Sequence, residues 1–201
     1  VTDDDIKNSY NPIITTKTVD GNEVNVNTDG SAPTEIYNDL TLPAKTSFAN
    51  ITWNSDKSDI LSNDGVIVKR PIEDTTVTLT ASIVNLYGST VTKEITVIVK
   101  GIGGMLDDAI TKAKAAITKV YDEDGDIDAS GLTDLHQDIK LYTEYEKNDE
   151  YPEYKDVTLE WSSSNNDILK INGSIAEIYP ITTNGYNIKL TVKASALGQT
   201  K

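Results

Sequence analysis

A chain of 201 residues has room for one or two domains, and 18 Lys and Arg set against 32 Asp and Glu leave it a net charge of −14. That field, at a pI near 4.4, repels phosphate backbones and anionic headgroups, and no basic patch offsets it, so neither nucleic acid nor membrane insertion is expected. With no Cys and a single His, disulfides, thiolate zinc sites, Cys nucleophiles and sites built on paired imidazoles are excluded, and any enzyme would have to rely on carboxylate chemistry.

Val, Ile and Thr together supply 61 residues while Phe and Met appear once each, a balance that favours pleated, half-buried strands. Residues 1–12 are polar and acidic and read as a loosely held lead-in closed by Pro12. Ile13 to Val19 and Glu23 to Asn27 flank Asp20-Gly21, a two-residue turn signal between strand formers, which predicts a hairpin. Asp29 to Pro33 reads as a loop. Strands are then expected over Asp39 to Leu42, Ile51 to Asn54, Gly65 to Lys69, Thr76 to Asn85 and Val91 to Val99. In the last two, Val77, Leu79, Ala81 and Ile83 share one face, as do Val91, Ile95, Val97 and Val99. Short strands at such even spacing predict an immunoglobulin-like sandwich.

Gly101, Gly103 and Gly104 mark a break, after which the hydrophobic period changes. Leu106, Ala109, Ile110, Ala113, Ala116, Ile117 and Val120 recur at three- and four-residue steps, predicting an amphipathic helix over about 105–121. Asp107 and Asp108 fall in its expected first turn and Lys119 in its last, as suits the helix dipole.

Beyond the helix the sequence repeats itself. Trp53 to Leu61 aligns without a gap on Trp161 to Leu169, carrying Gly65 onto Gly173 and Ile67 onto Ile175. With small loop changes Val77 to Thr80 meets Ile188 to Thr191, and upstream Asp39 to Leu42 meets Asp138 to Leu141, so that Tyr142 stands where the first copy has Pro43. Two copies of one module is the economical reading. Two domains are expected, residues 1–100 with an N-terminal hairpin and residues 101–201 prefaced by the helix. In the second copy the partner of Lys93, which opens the last strand of the first copy, falls close to Lys201.

The run Leu42-Pro43, Ile51-Thr52-Trp53, Ser55, Ile60, Asp64-Gly65-Val66, Pro71, Val77 to Ala81 and Lys93 to Val99 resembles the bacterial immunoglobulin-like domains, and among them the atrophied bacterial Ig group. The resemblance implies non-catalytic repeats of large secreted or surface proteins, often beside carbohydrate-active modules. It covers residues 36–100 best; the second copy departs from it at Tyr142 and lacks an Asp before Gly173.

Few residues suggest chemistry. Asp122, Asp124, Asp126 and Asp128 place carboxylates at alternate positions, a spacing that can converge on calcium. An EF-hand loop would need Gly at its sixth position and Glu at its twelfth, where Ile127 and Thr133 stand, so the reading preferred is a solvated acidic turn with no metal or other cofactor. Tyr142, Tyr145, Tyr151 and Tyr154 crowd a loop nine residues longer than its counterpart before Trp53, and exposed rings beside carboxylates could stack on a sugar; otherwise they cap the adjacent sheet and helix. His136 lies near Ser130, Asp134 and Asp138, yet no glycine elbow surrounds the serine and no catalysis is expected. Trp53 and Trp161, at the same place in both copies, are expected in the core.

The sequence thus predicts a mainly β chain of two tandem immunoglobulin-like β-sandwich modules with one amphipathic helix between the sandwiches. Its expected role is a non-catalytic structural or spacer module of a larger extracellular or cell-surface bacterial protein, its partners the other domains of the same polypeptide. The alternative is a carbohydrate-binding or adhesion module acting through loop 142–154, with a polysaccharide or a surface protein as its ligand.

Overall fold

Alternation of β-branched and polar residues gives the first half of the chain its strands: β1 (Thr15–Lys17), β2 (Glu23–Asn25), β3 (Thr34–Ile36), β4 (Leu40–Thr41), β5 (Ala49–Ser55), β6 (Thr75–Asn85) and β7 (Thr90–Val99). The structure is a computed structural model that describes residues 12–18, 20–119, 137–145, 157–179 and 185–201, and the chain divides into two compact units after Ile102.

In the first unit β1 and β2 form the expected hairpin around Asp20-Gly21, and β4 joins its other side. The second sheet has the order β3-β7-β6-β5, antiparallel except that β3 runs parallel to β7. The inward residues of β6 and β7 are those the alternation selects: Val77, Leu79, Ala81, Ile83, Val91, Ile95, Val97 and Val99 are all buried. They meet Ile14, Val26, Leu40 and Leu61 from the other layer, so the core is the seam between two sheets.

Two expectations are corrected here. Residues 65–69 form no strand: a lone bridge joins Leu61 to Ile67, and Val66 and Val68 stay exposed. Gly65, at φ 83°, reverses the chain there, and the Ser62 hydroxyl accepts the Val66 N–H, so the local groups are satisfied by a turn. Thr34–Ile36, on the other hand, is the strand β3; three residues carry too little periodicity to reveal a pairing made at long range with β7.

The second unit opens with the helix α1, which runs Gly103–Ala115, earlier at both ends than the hydrophobic stripe suggests. Met105, Leu106, Ala109 and Ala113 are its buried side chains. Asp107 and Asp108 consequently lie beyond the first turn, and Lys112 and Lys114, not Lys119, occupy the last. The helix stops because Ile117 turns into the sandwich core and Thr118–Lys119 pairs as strand β8 with β9 (Ile139–Lys140). The remaining strands are β10 (Thr158–Ser163), β11 (Leu169–Asn172), β12 (Ile175–Ile178), β13 (Leu190–Ala196) and β14 (Gln199–Thr200). They form sheets of order β11-β12-β9-β8 and β10-β13-β14, and α1 packs against β13 and β10. The core joins Ile117, Ile139, Leu141, Leu169 and Ala176 to the half-buried Trp161, Ile188 and Leu190.

Inside each unit the same hydrogen bonds recur. The Asp56 N–H donates to Thr78 O and the Thr78 N–H to Asp56 Oδ1; in the second unit the Ser164 N–H donates to Lys189 O and the Lys189 N–H to Ser164 Oγ. Ser55 pairs with Leu79 and Trp53 with Ala81, as Ser163 pairs with Leu190 and Trp161 with Val192. The Ile67 N–H donates to Asp39 Oδ1 (2.8 Å) and the Ile178 N–H to Asp138 Oδ1 (2.7 Å).

That last pair corrects the gapless alignment. Leu61 bridges Ile67 where Leu169 pairs with Ile178, so Ile67 corresponds to Ile178 and not Ile175; three extra residues lengthen the turn into the β11–β12 hairpin. The C-terminal match shifts as well. Lys201 exchanges both backbone hydrogen bonds with Ala194, which places it opposite the counterpart of Ile83, at the position of Val91 and not of Lys93. The tight Leu197-Gly198 turn, both residues at positive φ, is one residue shorter than the turn between β6 and β7.

Candidate functional site

The tryptophans are placed by alternation on β5 and β10, where each packs on the core of its own unit. The Trp53 Nε1–H donates to Pro43 O at 2.9 Å and the Trp161 Nε1–H donates to Tyr142 O at 2.8 Å. A half-buried indole is held in place by such an acceptor, and here it is the same backbone position in both units. With its polar edge engaged by the protein and its ring against aliphatic side chains, each half-buried indole packs on the core of its unit and serves the fold.

The tyrosine loop is partly described. Tyr142 supplies the carbonyl that Trp161 uses. Tyr145 ties the loop to the helix: its hydroxyl donates to Asp108 Oδ2 at 2.9 Å, and Lys112 Nζ lies 3.0 Å from the same carboxylate and 5.3 Å from the ring centroid. Burial pushes the Asp108 carboxyl up, but the hydrogen bonds from Lys112 and Tyr145 outweigh it and hold the group below its ordinary value. Tyr151 and Tyr154 lie outside the described residues, as do Asp122, Asp124, Asp126, Asp128, Ser130, Asp134 and His136. Among the described residues no group of three or more His, Asp or Glu is arranged to hold a metal ion. Asp138, the last member of the His136 constellation, accepts the Ile178 N–H and so pins β9 to β12.

The other perturbed groups are also built into the frame. Lys100 donates to Asp74 Oδ2 at 2.5 Å and lies 3.4 Å from Glu35, while the Gly101 N–H donates to Asp74 Oδ1 at 2.9 Å. The hydrogen bond from Lys100 lowers the Asp74 carboxyl and raises the ammonium in return. The Arg70 guanidinium donates to Tyr37 O and Lys100 O, joining the strand ends of β3 and β7. Burial lowers Lys93 against the opposing pull of Asp29.

Sequence reasoning missed one feature of another kind. Phe48, Leu86 and Tyr87 are large, exposed and set in turns, where polar residues are the rule. The readable signal was Leu86-Tyr87 directly before Gly88, an apolar pair inside a turn.

A family model for the atrophied bacterial Ig domain matches residues 18–102, the first unit from just after β1 to its end, so that this segment is similar to bacterial immunoglobulin-like domains. None of the curated proteins matches the chain. No helix among the described residues is long and apolar enough to cross a membrane.

Proposed function

We propose that both units are copies of one immunoglobulin-like module and that the chain serves as a non-catalytic structural spacer in a larger extracellular or cell-surface bacterial protein. The observation that carries this reading is the hydrogen-bond frame repeated between the units, from the Trp53–Pro43 and Trp161–Tyr142 bonds to the paired contacts of Asp39 and Asp138. A frame kept through a three-residue insertion and a nine-residue loop enlargement supports duplication, and duplication of a self-sufficient sandwich lengthens a protein without adding chemistry. The family match over residues 18–102 supports the same assignment for the first copy. The carboxylates described above are engaged in caps and ion pairs, which fits a scaffold.

Single-molecule extension of the full chain tests the tandem arrangement: two unfolding events are expected, each releasing the contour length of one unit. One event releasing both units together would overturn it. Release of reducing ends or acyl groups by the purified chain, on any of a broad panel of polysaccharides and esters, would overturn the non-catalytic reading.

A further inference from the structure

Three exposed apolar side chains gather at one end of the β5-β6-β7 sheet. Leu86 and Tyr87, 74% and 88% exposed, form the tip of the hairpin between β6 and β7, and Phe48, 74% exposed, directly precedes β5. The register pairs Ala49 with Asn85, so Phe48 and Leu86 are the next residues outward on neighbouring strands.

Both turns are held by side chains. Asn85 Oδ1 accepts the N–H groups of Tyr87 (2.9 Å) and Ser89 (3.0 Å), and Thr46 Oγ1 accepts those of Phe48 (3.2 Å) and Ala49 (3.0 Å). Backbone fixed in this way before any ligand arrives lowers the ordering cost of binding. Large rings left in water on a fixed frame are the composition of a contact surface.

Charge selects the ligand. Residues 44–49 and 84–90 contain Lys45 and no Asp or Glu, in a chain that has 32 carboxylates. An anionic polymer would meet the field of the −14 chain, and a cationic ligand would find no carboxylate at the tip. What fits is an uncharged ligand with apolar faces and hydroxyl edges, to lie on Phe48 and Tyr87 and bond the neighbouring serine hydroxyls. We infer that this tip of the first unit binds a neutral polysaccharide. The tyrosine-bearing enlargement of the second unit occupies the corresponding loop, between Tyr142 and Trp161 as Phe48 lies between Pro43 and Trp53.

Affinity electrophoresis of the full chain through gels containing hydroxyethylcellulose, xyloglucan, galactomannan or laminarin is the test, with polygalacturonate as the charged control. At least one neutral polymer is expected to retard the protein, and Phe48→Ala/Tyr87→Ala to weaken binding about tenfold with an unchanged melting temperature, since both side chains are exposed. Retardation by none of the four, or by polygalacturonate alone, would overturn the inference. So would retardation that survives in Phe48→Ala/Tyr87→Ala; loss instead in Tyr151→Ala/Tyr154→Ala would assign binding to the second unit's loop. Sedimentation with phosphatidylcholine vesicles, lost in Phe48→Ala/Tyr87→Ala while no polymer binds, would make the tip a lipid contact and overturn it equally.

Discussion

At the scale of single residues, stability rests on polar atoms engaged by backbone and on a glycine where a side chain would clash. Trp53→Phe and Trp161→Phe keep most of the apolar ring but leave Pro43 O and Tyr142 O without their donor. Each should cost about 1–2 kcal/mol, the net value of the bond plus a small void, read as a lower midpoint in urea. Equal costs would agree with the equivalent roles of the two indoles; a neutral Trp161→Phe would show that its hydrogen bond is dispensable. Gly65 is constrained from two sides. Its φ of +83° disfavours any Cβ, and a Cβ there would lie 2.5 Å from Leu40 O, a backbone atom fixed because the Leu40 N–H donates to Gly65 O. Gly65→Ala should therefore cost about 2 kcal/mol or more, whereas Gly88→Ala, where a Cβ would meet nothing within 4 Å, bears only the backbone strain. Comparison of the two by thermal unfolding separates the clash from the strain.

At the scale of elements, the clip that fastens β3 and β7 depends on pH. The fold holds the Asp74 carboxyl below its ordinary value, so its share of stability is in place above the unfolded carboxylate pKa of about 3.9 and is lost as pH falls through the lowered folded value. Asp74→Asn keeps an acceptor for the Gly101 N–H and removes the charge. Because Asp74 and its partner Lys100 lie at the surface, the variant should lose no more than about 1 kcal/mol at pH 7. The difference in melting temperature between the two proteins should shrink below pH 4 or so. A constant difference down to pH 2 or so would mean that the ion pair contributes nothing. The clip also shows which elements a sequence reveals. β6 and β7 were legible because ten or more residues alternate against one core, so local pattern and burial agree. β3 was hidden because its three residues owe their place to parallel pairing with β7 and to Lys100 reaching Glu35 and Asp74, contacts distant in sequence. The helix was legible as an amphipathic stripe, but its end was not, because Ile117 fits a helical face as well as the core it fills. The exposed tip was hidden because Phe48, Leu86 and Tyr87 lie in turns, where no periodicity assigns a side chain to core or to solvent.

At the scale of the molecule, the end of the first unit is set by where its last backbone groups bond. After β7 the Lys100 N–H donates to Ile36 O, the Gly101 N–H to Asp74 Oδ1 and the Ile102 N–H to Pro71 O, each partner lying within the first unit. Gly101 approaches the Ile72 carbonyl so closely that a Cβ would collide with it, so the chain is drawn against that loop before α1 begins. The family match ends at the same residue, Ile102. A fragment of residues 1–102 should consequently fold alone in one cooperative transition, followed through Trp53, the one tryptophan it contains. A fragment ending at residue 98 loses Val99 from the core cluster, the Lys100 ion pairs and the last three of these hydrogen bonds. Burial of one Val contributes about 1.5–3 kcal/mol and each net hydrogen bond about 1 kcal/mol, a sum comparable with the whole stability of a domain this size. The shorter fragment should be largely unfolded at 25 °C or so, with Trp53 emitting as in water. If both fragments unfold at the same urea concentration, residues 99–102 add nothing to the first unit, and the boundary belongs at residue 98, one residue short of the end of β7.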